Sequence, residues 1–376
     1  MAALNPGTTA PDFTLKTTDG KQFCIKYIGL DVHMAMIAVV ILDARGHLLM
    51  ETLLVPQAAV LRAFFASLSG RLYVTFEEST MSDWLYELLS PLVEKVIVCD
   101  PRKNALLKQG NKNDRVDARK LAELLRAGLL SPVYHGGGAL RALKESARSY
   151  LTFTQDTTRT MNRLKALYRG SNIPCPGQRV YSPRYRTQWL EQLHDPARRR
   201  RAERLYQQLD ALQPLRHAAR QDLLTAARRH PAHRWLRSIP ALGPLRAALL
   251  LSILQTPRRF RTKRQLWAYA GLALVTRISA EYLLRNGQVV RSDKPLAIRG
   301  LNRNHHPQLK ELLKGAAITA SARPGPWQAF YQRRLAEGLK PPLARLTLAR
   351  KIAAVVLHLW KKGECFDAAT LKSQTA

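Results

Sequence analysis

The chain has 376 residues, with 60 Lys and Arg against 27 Asp and Glu and a formal net charge of +33. A composition 46% hydrophobic and 23% charged excludes collagen-like, mucin-like and wholly disordered classes. No apolar run reaches the ~18 residues of a membrane span, no secretory signal is evident, and the four cysteines form no CxxC pair, so a reducing cytoplasm is expected rather than a disulfide scaffold or zinc module.

Residues 1–26 are Thr/Gly/Pro-rich and poorly periodic, and read as an extraneous, unstructured leader in which Cys24 has no redox role. From Tyr27 the texture changes. Tyr27–Asp31 is an apolar strand ending in a carboxylate, Met34–Leu42 is a second β-rich run, and Asp43–Gly46 is a turn into a returning strand over His47–Val55. A helix over 57–69, a strand over Arg71–Phe76, a helix over Ser82–Leu92 and a strand over Lys95–Cys99 follow. A further helix is predicted from Asp114 to Arg126, with Asp114 as its N-cap. Strands interleaved with helices predict an α/β domain over 27–138.

Residues 139–235 carry apolar residues at three- and four-residue steps under an Arg-rich surface, broken at Gly170–Pro183, and predict an antiparallel helical hairpin or short coiled coil. Residues 236–376 read as mainly helical. Within them Ile239–Pro244 resembles the turn of a helix-hairpin-helix module, with Ala241 where that turn usually has its first glycine. Aromatics interleaved with basic residues suit base stacking, although Trp267 and Trp360 sit in the apolar helical context of core residues. His305-His306 reads as a loop pair, with a phosphate contact as the alternative.

Charge is distributed unequally. Residues 1–140 hold 15 Lys and Arg against 14 Asp and Glu, and residues 141–376 hold 45 against 13. The cationic remainder calls for a polyanion, because each Lys or Arg placed on a phosphate releases condensed counterions.

The neutral first part holds an ordered set of carboxylates: Asp31 on a strand, Glu77 or Glu78 on another, and Asp114 with Asp117 one helical turn apart. Gathered together they repel unless cations neutralise them. Hard oxygen ligands with no Cys or His nearby select Mg²⁺ or Mn²⁺ rather than zinc, and two such ions suit phosphoryl transfer. Strand alternation turns only one of Glu77 and Glu78 toward the cluster and does not say which.

The order strand-Asp, strand-Glu, helix-DxxD resembles RNase H-like, RuvC-type nuclease domains. The segments Ile28–His33, Phe76–Thr80, Gly110–Ala122, Ser238–Pro244, Phe260–Leu272, Arg299–Asn304 and Lys314–Ala317 together resemble the DEDD transposases of bacterial insertion sequences, a bridge-RNA-guided recombinase family. The resemblance implies an RNase H-like metal domain over 27–138, a helical arm over 139–235 and a helical DNA-binding transposase domain over 236–376. It implies Mg-dependent cleavage and strand transfer through a phosphoserine intermediate. Asp31, Glu77, Asp114 and Asp117 would be the metal ligands and Ser279 the nucleophile, with Thr276 as its nearest competitor. It further implies DNA and a guide RNA as partners, a homodimer or homotetramer with composite sites, and a nucleoid-associated location. Two rivals remain at this point: a metal-dependent, structure-selective endonuclease of the junction-resolvase type, and a non-catalytic nucleic-acid-binding protein.

Overall fold

The computed structural model describes residues 25–104, 113–136, 140–277, 282–285, 288–291 and 297–369. Residues 1–24 of the expected leader and Ser279 lie outside them. The chain divides into two compact units, Met1–His135 and Gly136–Ala376.

The first unit is built on a five-stranded sheet of order β3-β2-β1-β4-β5. The strands are β1 Ile25–Val32, β2 Ile37–Leu42, β3 Leu48–Leu54, β4 Arg71–Glu77 and β5 Lys95–Cys99. β1, β4 and β5 run parallel, while β2 and β3 continue from β1 as an antiparallel meander. That order and those directions make an RNase H-like sheet. Its helices are α1 Ala58–Ala66, α2 Ser82–Leu89, the single turn α3 Pro101–Asn104, and α4 Asp114–Arg126. The strand β1 starts at Ile25, inside the segment read as leader, and Lys26 is buried with its Nζ donating to Ser69 Oγ at 3.2 Å.

β2 is buried at all six positions, which explains why its sequence, IAVVIL, does not alternate. Both faces of the sheet are covered. Ile37, Val39 and Ile41 join Ile28, Leu30, Val74 and Phe76 in a core closed by Leu61 and Phe65 of α1 and Leu85, Leu88 and Leu89 of α2. Ala38, Val40 and Leu42 face the other way, against Ala118 and Ala122 of α4.

α4 crosses β1 at very close range. A Cβ built on Gly29 would lie 2.0 Å from the carbonyl oxygen of Ala118 and 2.6 Å from the amide nitrogen of Ala122. Glycine on the strand and two alanines spaced i, i+4 on the helix are what allow the two backbones to approach.

Among its described residues the second unit is mainly helical, with four short strands. Its helices are α5 Arg141–Arg169, α6 Arg186–Glu191, α7 Pro196–Arg228, α8 Pro231–Ser238, α9 Pro244–Leu254, α10 Lys263–Tyr269, α11 Pro307–Ala322, α12 Pro326–Ala336 and α13 Pro341–Lys362. α5 and α7 form the long helical pair read from the sequence, and two cores hold it. One end joins the large core through Leu143, Ala147, Leu223, Leu224 and Ala227. The other has a core of its own, including Leu164, Tyr168, Cys175, Val180, Ala202 and Tyr206.

Between α10 and α11 stand β6 Leu274–Arg277, β7 Tyr282–Arg285, β8 Gln288–Arg291 and β9 Ala297–Leu301. β6 pairs with β9 and β7 with β8, both antiparallel. These strands are the non-helical part of a stretch expected to be mainly helical. At four or five residues each, they are too short to show a clear period against the surrounding charge.

Candidate metal centre

β1 and β4 are adjacent and parallel, and their register aligns Ile28 with Val74 and Leu30 with Phe76, all four in the α1/α2 core. Alternation therefore turns the intervening residues to the α4 face, where the rings of Tyr27 and Tyr73 meet with centroids 5.7 Å apart. Asp31 and Glu77 continue that row at the C-terminal ends of the two strands.

Glu78 belongs to the other row. Its Oε2 lies 2.7 Å from His135 Nε2, and the Nδ1 of the same imidazole lies 3.1 Å from Asp83 Oδ1 on α2. The imidazole is 3% exposed and stacks on Tyr86. Glu78 thus ties the end of β4 to the segment after α4.

α4 brings Asp114 to the end of β1. The helix is capped by Asn113, whose side chain accepts from Arg115 N at 3.2 Å, and not by Asp114 as the sequence suggested. Asp114 stands instead at the first helical position, its carboxylate not needed as the cap. Arg115 fixes that first turn through an ion pair to Glu51 on β3, at 3.3 Å. Asp117, one turn on, is half-buried, and its backbone N–H bonds to Asn113 O at 2.8 Å.

Asp31 Oδ2 lies 3.3 Å from His33 Nε2, which lies 3.8 Å from Asp114 Oδ1. One ligand atom from each of these residues falls within 4.8 Å of the others. Adjacent ligands on an octahedral ion with ~2.1 Å bonds are about 3 Å apart, so the triad would have to draw together by up to about an ångström or more to hold a cation. Glu77 and Asp117 stand outside this triad: Asp117 lies on α4 with Asp114, and Glu77 on β4, the parallel neighbour of β1.

His33 is the member that the carboxylate reading missed. It follows Asp31 by two residues, so it returns to the same side as the chain leaves β1, where its N–H bonds to Met36 O in the turn to β2. The donor set is therefore mixed oxygen and nitrogen rather than all oxygen. Carboxylates suit Mg²⁺ and Mn²⁺, and an imidazole moves the preference toward Mn²⁺ and later divalent metals.

Of the C-terminal candidates, Ser279 lies outside the described residues, and Thr276 is exposed on β6. Several aromatics are structural: Trp327 and Trp360 are buried, Trp327 Nε1 donates to Pro240 O at 3.1 Å, and Trp267 Nε1 donates to Arg350 O at 2.9 Å. His306 caps α11, its Nδ1 accepting from Leu309 N. No helix among the described residues is long and apolar enough to cross a membrane.

Comparison with known families agrees with this geometry. The model of the IS110 DEDD domain, described as a transposase, matches residues 28–172, which include all four predicted carboxylates and His33. A second, described as Transposase IS116/IS110/IS902 family, matches residues 233–332, from α8 into α12. No curated protein matches the chain. Two models of one family, in chain order and together spanning well over half of the sequence, lead to a single conclusion: the chain belongs to the IS110 family of DEDD transposases, enzymes that act on DNA.

Proposed function

We propose that this transposase cuts and rejoins DNA through a covalent link on Ser279, with a Mg²⁺ or Mn²⁺ ion held by Asp31, His33 and Asp114. Glu77, on the face it shares with Asp31, and Asp117, one turn along α4, complete the acidic site. The observation that carries the reading is the convergence of Asp31, His33 and Asp114 at the end of β1. A divalent cation there supplies positive charge to the phosphoryl oxygens as negative charge develops on them.

The Ser279 hydroxyl attacks the phosphorus, and its proton leaves to a base or solvent. The bond from phosphorus to one sugar oxygen breaks, and that oxygen departs as a hydroxyl. A second sugar hydroxyl then displaces the serine by the reverse step, so the phosphodiester bond is conserved. A guide RNA selects the DNA sites, and subunits assemble so that serine and carboxylates come from different copies. Both of these rest on the family resemblance.

DNA carrying the element ends, labelled on one strand and incubated with the protein and Mg²⁺ or Mn²⁺, tests the reading. Wild-type protein is expected to leave a protein–DNA adduct that survives denaturation. Ser279→Ala should give none while still binding DNA. An adduct from that variant would refute the serine assignment, and cleavage without any adduct would favour a water nucleophile. For the ion, Mn²⁺ titrated by electron paramagnetic resonance should bind at least tenfold more weakly to Asp114→Asn. His33→Ala should remove the nitrogen coupling from the bound Mn²⁺ signal. RNA recovered with the purified protein should be one discrete species.

A further inference from the structure

Within the second unit, α10, α12 and α13 enclose an open cavity of about 850 Å³. Six cations line it (Arg261, Lys263, Arg334, Arg350, Lys351 and Lys361), and no carboxylate does. Trp267 and Phe330 supply aromatic walls.

Part of this lining is fixed in place by the fold. Arg350 Nε donates to Leu272 O at 2.7 Å, and Lys361 Nζ donates to Phe260 O at 2.7 Å. Trp267 is held by its bond to Arg350 O. Donors remain over: Arg350 Nη2 and Arg334 Nε are buried and have no hydrogen-bond partner among the described residues. Glu337 pairs with Arg334 through Nη1, and the lining itself brings cations together with no carboxylate among them. Burial and the neighbouring Lys263, Arg333 and Arg334 hold the Lys351 ammonium below the usual lysine range. A site with unfilled guanidinium donors and a lining of cations without carboxylates is organised for an anion with several oxygens.

We infer that this cavity binds an unpaired stretch of a nucleic-acid strand, its phosphates among the cations and a base against Trp267 or Phe330. Paired bases in a duplex keep their faces stacked, whereas an unpaired base offers a free face to an aromatic wall. The inference rests on the nucleic-acid function proposed above and assigns one place in the chain to it.

Fluorescence anisotropy with the full-length protein tests it, using labelled 12-nucleotide oligo-dT, 12-nucleotide oligo-U and a random duplex. The variant is Lys263→Gln with Lys351→Gln, which removes two charges from the lining. The control is Arg199→Gln with Arg200→Gln, which removes the same charge from an exposed part of α7. The cavity pair should lose about tenfold or more in single-strand affinity. Its salt dependence should flatten by about 1.4 in log–log slope, at ~0.7 per phosphate on single strands. The control should lose under threefold. A larger loss on oligo-U assigns the cavity to RNA and on oligo-dT to DNA, and either supports the inference.

Equal losses in the two variants, or a loss confined to the duplex, would overturn it while leaving nucleic-acid binding intact. Failure of the wild-type protein to bind any of the three probes would instead overturn the underlying reading. If the double variant does not fold, Lys263→Gln alone, at an exposed position, should show half the change in slope.

Discussion

The two units use charge in opposite ways. In Met1–His135, 15 cations and 14 anions nearly cancel, yet the backbone gathers Asp31, His33 and Asp114 at one sheet end. In Gly136–Ala376, 45 cations face 13 anions. Several of those anions are engaged in short-range helical pairs such as Arg148–Glu145, Arg159–Asp156 and Arg334–Glu337. Pairs of this exposed kind contribute a few tenths of a kcal/mol each and leave most of the arginine surface free. Local concentration of anions takes close packing, whereas a broad cationic surface takes only composition. The first unit is therefore expected to be sensitive to changes of a single atom that the second would tolerate.

Gly29→Ala should break the first unit. The added methyl would meet backbone atoms of Ala118 and Ala122 at 2.0 and 2.6 Å, and backbone cannot swing aside as a side-chain tip can. The cost should reach or exceed the upper end of the ~1–3 kcal/mol typical of overpacking. Because α4 carries Asp114 and Asp117, Mn²⁺ binding should fall with stability, and paired thermal melts and metal titrations would show both. A variant that melts normally and binds Mn²⁺ normally would mean that α4 need not sit so close to β1. The same substitution at Gly315 on α11, where the nearest atom to the new Cβ is a flexible Arg246 guanidinium nitrogen at 3.6 Å, should cost little.

That sensitivity also explains what could be read from the sequence. The strands of the first unit, α4, and the long pair of α5 and α7 followed from apolar period and turn residues, and the strand-Asp, strand-Glu, helix-DxxD order was visible. His33 was not, because a residue just beyond a strand end shows its direction only once the turn to Met36 is known. Asn113 rather than Asp114 caps α4, since both are good caps and only φ and ψ decide. Glu77 and Glu78 are chemically alike; what separates them is the register of β4 and the position of His135, 57 residues on from Glu78.

Tyr206 tests whether the second unit has close-packed polar sites of its own. Its hydroxyl donates to Val180 O at 3.0 Å and lies 3.2 Å from the Tyr168 hydroxyl, inside the core at the far end of the hairpin. Burial, with the Tyr168 hydroxyl next, raises its pKa far above the usual phenol value. Tyr206→Phe should cost about 1–2 kcal/mol by leaving a buried carbonyl and hydroxyl short of a partner. Tyr168→Phe should cost less, since Tyr206 keeps its bond to Val180. Urea unfolding that ranks the two in the reverse order would contradict this donor assignment.

Two imidazoles make the second unit acid-sensitive. His230 and His306 each accept a backbone N–H through Nδ1, capping α8 and α11, and can do so only while that nitrogen is unprotonated. Burial lowers both pKa values from 6.5, with Arg259 and His305 adding to the effect at His306. A lowered histidine pKa means that the unfolded chain takes the proton first. Stability from these groups is thus complete above pH 6.5 and is lost as pH falls below it. The expected loss is on the order of 1 kcal/mol per cap, and His306→Asn, a cap that does not titrate, should flatten part of the slope. An unchanged slope in that variant would place the acid sensitivity elsewhere.

The smallest expected effect is a gain. Ala241 holds φ at +72°, a left-handed conformation that costs a residue with a Cβ about 1–2 kcal/mol. It sits in the turn before α9, where helix-hairpin-helix turns usually place glycine. Ala241→Gly removes that strain but loses a methyl packed against the core, and it gives the unfolded chain more freedom, worth about 0.5–1 kcal/mol. The balance should favour glycine by about 0.5 kcal/mol, read as a small rise in the denaturant midpoint. Arg246, whose Nη1 donates to Ala241 O at 2.9 Å, should keep the turn closed in either case. A loss of stability would show that the alanine methyl contributes more to the core than its backbone strain costs. The tight turn would then resemble Gly29 in depending on the size of one side chain, even inside the more tolerant unit.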